Sequence, residues 1–585
     1  MHPLDWAVIA AYLVGIVALG VFLSRRASAS AEAYLVADRK LPWWVIGFSD
    51  VASAAGGDAF WVLVVFSGAF VGLYRFFWLS ALFALPLGIL WARYWRRLRL
   101  VSPAQIYEER YGGAAAGRYR GFVVVYSAFV TSAIVLAYVL QAFAQIMAPF
   151  LGWPPDTVLA VFCGVSVLYT MMSGLLGVAY SDVPQFLLLM VGRVGLAAVL
   201  LAAAGGLGGM MDAVETIRGA EFLEPFPPGA GEVYGKWGVE PGTAVALAAV
   251  GLFGIAGTGS ANVQRSLAAR SELDAALGQM LNAVLTLAVR VAPLVVIGFA
   301  TIALLPNPEG TDAWAEMVTT YAGPGLLGLI LVGVVSGYMS TIDTFLNFLT
   351  AGLFNDFYRR HVAPDAGPRA QLLFCRFATL LVTAVGFLWA KLLIDVIDAD
   401  WINFINSVVG LFILPLAVLR WTWWRLNIWG EIAGFVVGVP LAWVVWFPLG
   451  LKDEPYWQSF CVLFGVGWAT IVTVTLLTRP ESDDVLRSFY RRVRPPGLWG
   501  PIARSLAEEQ DPAAVAAGRR ELRLDGVVAL TGFGFCVSLV TAVTAPFVRS
   551  LPLGLAAAAG LALFGGGFHA ASVAAERSRA VTADG

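Results

Sequence analysis

The chain has 585 residues, of which 59% are hydrophobic and only 13% charged; a soluble domain carries roughly 25% charged residues, so a soluble enzyme is excluded and a polytopic membrane protein is expected. The formal net charge of −1 gives no sign of a nucleic-acid partner. The isolated cysteines (Cys163, Cys375, Cys461, Cys536) read as small residues of the apolar interior, and His2, His361 and His569 stand too far apart for a zinc motif.

Apolar stretches of roughly 20 residues, the length a helix needs to cross a bilayer, recur about fifteen times. They lie near 4–24, 45–72, 76–95, 121–146, 157–175, 183–205, 242–261, 276–304, 325–353, 371–393, 402–420, 429–449, 457–478, 525–547 and 551–571. No alternating barrel pattern competes with them. The first stretch lacks a basic leader and an A-x-A site, so no cleavable signal is expected.

With the N-terminus outside, the basic loops share one side. They carry Arg25, Arg26, Arg39 and Lys40, the run from Arg93 to Arg99, Arg118 and Arg120, Arg265 and Arg270, Arg359 and Arg360, and Arg420 and Arg425. The tail with Arg577 and Arg579 joins them, while the acidic loops 206–241, 306–322 and 395–400 take the other side. This positive-inside pattern puts the N-terminus outside and the C-terminus in the cytoplasm. The expectation is an integral protein of a bacterial-type inner or plasma membrane. The chain divides into a thirteen-span core (1–478), a polar, Pro-interrupted cytoplasmic linker (479–524) and a C-terminal two-span hairpin with its tail (525–585).

Polar residues inside spans mark the places where chemistry is expected, because an ionisable group in a bilayer is costly. The second span holds Ser49, Asp50, Ser53, Asp58 and the pair Gly56–Gly57. Each glycine weakens a helix by roughly 1 kcal/mol. A break at 55–59 would free the carbonyls of Ala55 and Asp58 to face an ion or solute; close helix packing on small residues is the plainer reading. Trp61 lies deeper than the interfacial tryptophans and lines either a solute pocket or an ordinary contact.

Asp182 and Gln185 open the sixth span. There a carboxylate either caps a helix start or serves as a cation waypoint. The seventh span ends with Gly254, Gly257, Thr258, Gly259 and Ser260, which point to an unwound segment. A dinucleotide fingerprint is excluded there for want of a preceding strand. Asn262, Gln264 and Arg265 follow at the cytoplasmic edge. Arg193 and Arg290 sit deep in spans six and eight and need carboxylates, carbonyls or water; Asp50, Asp58 and Asp343 are the partners at hand.

The ninth span carries the densest polar stripe. Positions i, i+3, i+4 and i+7 share a helix face, so Gly337, Ser340, Thr341 and Thr344 align. Ser336, Ser340, Asp343 and Asn347 form a second stripe beside them. Hydroxyls with a nearby carboxylate suit a small hard cation, which prefers oxygen ligands. The alternative is hydrogen bonding back to the helix or between helices.

Four motifs together resemble the sodium/solute symporter family, the sodium-coupled sugar, proline and sialic-acid carriers. They are A-A-G-G-D-A-F-W (54–61), S-G-L-L-G-V-A-Y-S-D-V-P-Q (173–185), A-N-V-Q-R-S-L-A-A-R-S (261–271) and G-Y-M-S-T-I-D-T (337–344). The resemblance covers about residues 4–478. It implies an all-α LeuT-type fold with inverted five-helix repeats at about 45–205 and 242–420 and additional flanking helices. It implies sodium as the coupling ion, a small-molecule solute as the cargo and no organic cofactor. By resemblance, the sodium site uses backbone oxygens of Ala55, Asp58 and Gly337 with the hydroxyls of Ser340 and Thr341. A second cation, or its release path, would involve Asp182, Asp343 and Thr344, with Ser340 shared. Ser53, Asp58, Trp61, Thr258 and Asn406 are pocket candidates by placement.

The expected function is therefore sodium-coupled symport of a small polar organic solute by alternating access, and not an enzyme activity. A solute sensor built on a transporter-like core and a proton-coupled symporter are the alternatives. A polytopic enzyme would want clustered His, Asp or Glu at one membrane face, which the scattered histidines do not supply.

Overall fold

A single glycine decides how the apolar run after Pro155 folds. Gly174 has φ 55° and ψ −167°, outside the helical region, and splits one 49-residue helical run, Pro155–Ala203, into two spans. Only glycine takes such backbone angles without a side-chain clash. The computed structural model describes residues 1–27, 35–57, 88–220, 241–254, 261–305, 310–392, 412, 414–547 and 549–583.

In chain order the principal helices begin with α1 (Pro3–Ala27), α2 (Trp43–Ser53), α3 (88–98), α4 (Gly113–Leu151) and α5 (Pro155–Ala203). Next come α6 (Pro241–Gly254), α7 (Ala261–Leu267), α8 (Glu272–Leu304), α9 (Leu326–His361) and α10 (Pro368–Leu392). Then follow α11 (Leu414–Thr422), α12 (Ile428–Trp446), α13 (Tyr456–Leu477), α14 (Asp483–Val493), α15 (Gly500–Ala507), α16 (Pro512–Thr544) and α17 (Leu551–Ala583). Among the described residues, 10 helices are long and apolar enough to cross a membrane, and Pro155–Met171 is a shorter apolar helix. The spans expected at 45–72, 76–95, 242–261 and 402–420 run into residues outside the described set.

The ninth expected span, α9, is the axis of the molecule. Its apolar window is 83% buried, against 28% for α1 and α10. A helix enclosed by protein can carry polar side chains that a lipid-facing helix cannot. Its N-terminus is capped from α1: Asp5 Oδ1 accepts the Gly325 and Gly328 N–H groups at 2.7 and 2.8 Å. Small residues let α5 lie close along it, and a Cβ added at Gly192 would stand 2.9 Å from the Leu329 carbonyl oxygen.

The 479–524 segment, expected as a polar linker, is largely helical, as α14, α15 and the start of α16. Leu486, Phe489 and Val493 recur at helical spacing and are buried. Trp499 follows them inward and donates its indole N–H to the Trp421 carbonyl at 2.6 Å. Polar composition hid one apolar stripe. The C-terminal hairpin, α16 with α17, docks on α3 and α8: Val528, Phe568 and Ala571 pack with Ile89, Ala276 and Met280. A buried ion pair, Arg93 Nη1 to Asp525 Oδ1 at 2.8 Å, fastens it.

Candidate functional site

The break expected in the second span begins where the α-helix stops, at Ser53. A turn at Ala54 and a 3-10 turn over Ala55–Gly57 follow. Ser53 Oγ bonds back to the Ser49 carbonyl at 2.6 Å, the local competition that loosens a helix end. The turn lies against α9. A Cβ added at Gly337 would meet the Ala55 carbonyl oxygen at 3.5 Å, so that carbonyl reaches the α9 surface. At Gly56 an added Cβ would collide with Thr341, 2.7 Å from its Cβ.

Thr341 closes the gap left by the broken helix. Its Oγ1 accepts the Gly56 N–H at 2.8 Å and lies 2.8 Å from the Ser53 carbonyl and 3.1 Å from the Gly337 carbonyl, to one of which it donates. Ser340 donates its hydroxyl proton to Asp182 Oδ1 at 2.5 Å. A hydroxyl has one donor and two lone pairs. Ser340 therefore keeps both lone pairs, and Thr341 keeps one. Ser340, Thr341 and Asp182 are all buried.

Of the residues singled out from the sequence, Ala55 and Thr341 each lie close to Gly337, and Ser340 turns its hydroxyl to Asp182. Asp58, Trp61, Thr258 and Asn406 lie outside the described residues. Asp182, Thr344 and Ser53 meet one turn away, around a residue that sequence reasoning set at the cytoplasmic edge. Arg265 Nη2 donates to Ser53 Oγ at 2.5 Å, Thr344 Oγ1 at 2.7 Å and Asp182 Oδ2 at 3.1 Å. Its Nε donates to Ser49 Oγ at 2.5 Å and stands 3.5 Å from Asp50 Oδ1. Asp50 also accepts from Gln279 Nε2 at 2.5 Å.

Asp343 does not join this group. Its Oδ1 accepts from Thr170 Oγ1 at 2.8 Å, on another face of α9. Of the acids expected for the deep arginines, Asp50 lies 3.5 Å from Arg265 and Asp58 is outside the described residues; Arg290 Nη1 approaches the Val51 carbonyl at 3.4 Å. Arg193 lines a cavity that opens beside Ala55 and Gly56, between Phe143, Trp314 and Tyr338. A charge-count reading assigns Arg265 to a loop. The signal for the inward placement was the apolar and small run L-A-A (267–269) after it, which folds back as Leu41 N–H bonds the Ala268 carbonyl at 3.1 Å.

Comparison with known proteins agrees with this architecture. The model of the sodium:solute symporter family matches residues 34–438. Sodium/glucose cotransporter 4 of Danio rerio is 23% identical over 544 residues, covering 83% of this chain and 80% of its own. The sodium/glucose cotransporter of Vibrio parahaemolyticus is 23% identical over 512 residues, covering 82% of this chain and 92% of its own. Among solved structures, a Na+-coupled sialic acid symporter in a substrate-bound outward-open state matches with a TM-score of 0.68 at 19% identity, over 82% of this chain and 99% of that one. That likeness is one of fold, and the family match covers most of the chain. The protein belongs to the sodium:solute symporter family and is a sodium-coupled membrane transporter, not an enzyme.

Proposed function

We propose that the coupling sodium binds where the 3-10 turn of the second span meets α9. Its ligands are the Ala55 and Gly337 carbonyls, the Ser340 and Thr341 hydroxyls and a backbone oxygen of Asp58. The observation that carries this reading is Thr341 Oγ1 spanning the broken helix, in contact with Ser53, Gly56 and Gly337. Sodium there ties the broken helix to α9 and so completes the adjoining solute site. Coupling is the difference in affinity of the outward and inward states for the two ligands. The membrane potential adds about 2.3 kcal/mol per charge per 100 mV.

The cargo is a small polar organic solute, bound beside the break, with Ser53, Asp58, Trp61, Thr258 and Asn406 as contacts. The N-terminus lies outside and the basic loops and tail lie in the cytoplasm, in a bacterial-type inner membrane. The core ends near residue 478, and the C-terminal hairpin is an appendage to it.

The test is thermal stability of the purified protein in sodium and in potassium, with sugars, polyols and small carboxylates added in turn. A ligand that binds only the native state adds about 2.7 kcal/mol at a hundred times its Kd. Sodium stabilises the protein, and one solute class stabilises it further only when sodium is present. Ser340→Ala and Thr341→Ala remove the sodium effect. Full sodium affinity in both variants overturns the site.

A further inference from the structure

We propose that the free end of the α16–α17 hairpin, away from its turn, holds the headgroup of an anionic phospholipid between Arg520 and Arg577. The two helices flank a cleft of about 680 Å³ there, the size of a small-molecule site. Arg520 reaches it from α16, and His569, Arg577 and Ser578 reach it from α17. The other side chains facing the cleft are alanines and Val573, which leave the space between the helices unfilled.

Helix length sets the level of the cleft. Both helices have 33 residues, about 50 Å at ~1.5 Å per residue, whereas the hydrocarbon of a bilayer takes about 30 Å. With the joining turn at one membrane surface, roughly 20 residues of each helix cross the hydrocarbon, back to about residue 525 on α16 and on to about residue 571 on α17. Arg520 and Arg577 then lie just beyond it, at headgroup depth. Deeper on the same helix faces stand Val527 and Leu563, about two turns from Arg520 and Ala570. They are 44% and 70% exposed. A headgroup in the cleft leaves its acyl chains an apolar face to run along.

The cleft carries cations without anions. Among the described residues no Asp or Glu lines it. The acids of α16 turn to α3 instead: Glu521 Oε1 accepts from Arg97 Nη2 at 2.5 Å, and Asp525 Oδ1 from Arg93 Nη1 at 2.8 Å. Neither Arg520 nor Arg577 has an ion-pair partner among the described residues. Ser578 is only 9% exposed, and its hydroxyl bonds no described residue. A phosphodiester supplies what these groups lack. Its oxygens match the fork of a guanidinium and accept from a serine hydroxyl or an imidazole N–H. A zwitterionic headgroup brings an ammonium with its phosphate, which two guanidinium charges repel, so the anionic lipid is preferred.

The experiment is native mass spectrometry of the purified full-length chain in detergent, titrated with phosphatidylglycerol or with phosphatidylcholine. The wild type retains one phosphatidylglycerol per chain in preference to phosphatidylcholine. Arg520→Gln/Arg577→Gln weakens that retention roughly tenfold, as the loss of charged hydrogen bonds requires. Arg519→Gln/Arg523→Gln removes two exposed arginines of α16 that lie outside the cleft, and leaves retention unchanged. Both variants melt with the wild type, since all four side chains are exposed. Equal retention by the cleft variant and the wild type overturns the proposal. So does an equal loss in the control pair, which would make the attraction one of diffuse charge, and so does retention of both lipids alike. Excess inorganic phosphate leaves the lipid bound; displacement by it would make the cleft a site for soluble anions and overturn the assignment to lipid. None of these outcomes depends on the sodium site.

Discussion

Ser340 donates its hydroxyl proton to Asp182 across the contact between α9 and α5, with 2.5 Å between the oxygens. The carboxylate never touches the proposed ion, yet it sets the direction of the ligand that does. Asp182→Asn places an N–H2 group where an acceptor stood, and Ser340 must turn a lone pair toward it. A hydrogen bond to a charged group is worth about 1.5–3 kcal/mol. The half-saturating sodium concentration of Asp182→Asn should rise roughly 10–100-fold, since each 1.4 kcal/mol is a factor of ten. Sodium-dependent uptake or stability titration measures it, and an unchanged value removes Asp182 from the site.

Thr341 separates hydroxyl from shape. Thr341→Val keeps the volume and loses the oxygen that accepts the Gly56 N–H. A buried donor left unsatisfied costs about 1–3 kcal/mol. Thr341→Val is expected to lower the melting temperature and lose the sodium response together, whereas Thr341→Ser keeps both. Equal sodium affinity in the two variants would show that the hydroxyl does not bind the ion.

The two glycines at the break should answer alanine in opposite ways. At Gly337 a Cβ meets the Ala55 Cβ and carbonyl at 3.5 Å, an ordinary contact. Gly337→Ala should fold and keep its sodium affinity within about twofold, a difference under roughly 0.5 kcal/mol. At Gly56 a Cβ stands 2.7 Å from Thr341 Cβ. Gly56→Ala forces the turn off α9 and should abolish sodium-dependent uptake while the protein still inserts. The comparison needs only expression level and uptake from the two variants.

The hairpin can be loosened without touching the core. Arg93 and Asp525 are buried together, at 0% and 3% side-chain exposure. Removing one partner of such a pair costs about 3–5 kcal/mol, while replacing both with apolar residues is often neutral. Arg93→Met should expose the α16–α17 hairpin to protease, and Arg93→Met/Asp525→Leu should restore most of the protection. Sodium affinity should not change in either. Equal protease resistance in the single variant and the wild type would mean that apolar packing alone holds the hairpin.

Much of the fold was legible in one dimension. Length and hydropathy mark helices such as Glu272–Leu304 and Tyr456–Leu477 because a bilayer imposes its thickness on every span. The weakness after Ser53 was legible for a similar reason, since paired glycines and short polar side chains act on their own backbone. Gln264, Arg265 and the stripe of Leu486, Phe489 and Val493 were not. A charged residue in a polar-looking stretch reads as solvated until a partner is known, and here the partners are 83 residues away for Asp182 and 216 for Ser49.

The sequence by itself determined that this is a polytopic helical membrane protein. It also determined that the second span weakens after Ser53 and which residues of the ninth span align on one face, because these follow from local backbone preference and helical periodicity. Only the tertiary structure decided which oxygens converge. Asp182 joins Ser340 while Asp343 turns to Thr170, and Arg265 is buried against Asp182 with Asp50 beside it. Buried charges choose partners by three-dimensional distance in a low dielectric, where a pair a few ångströms apart outweighs any preference written along the chain.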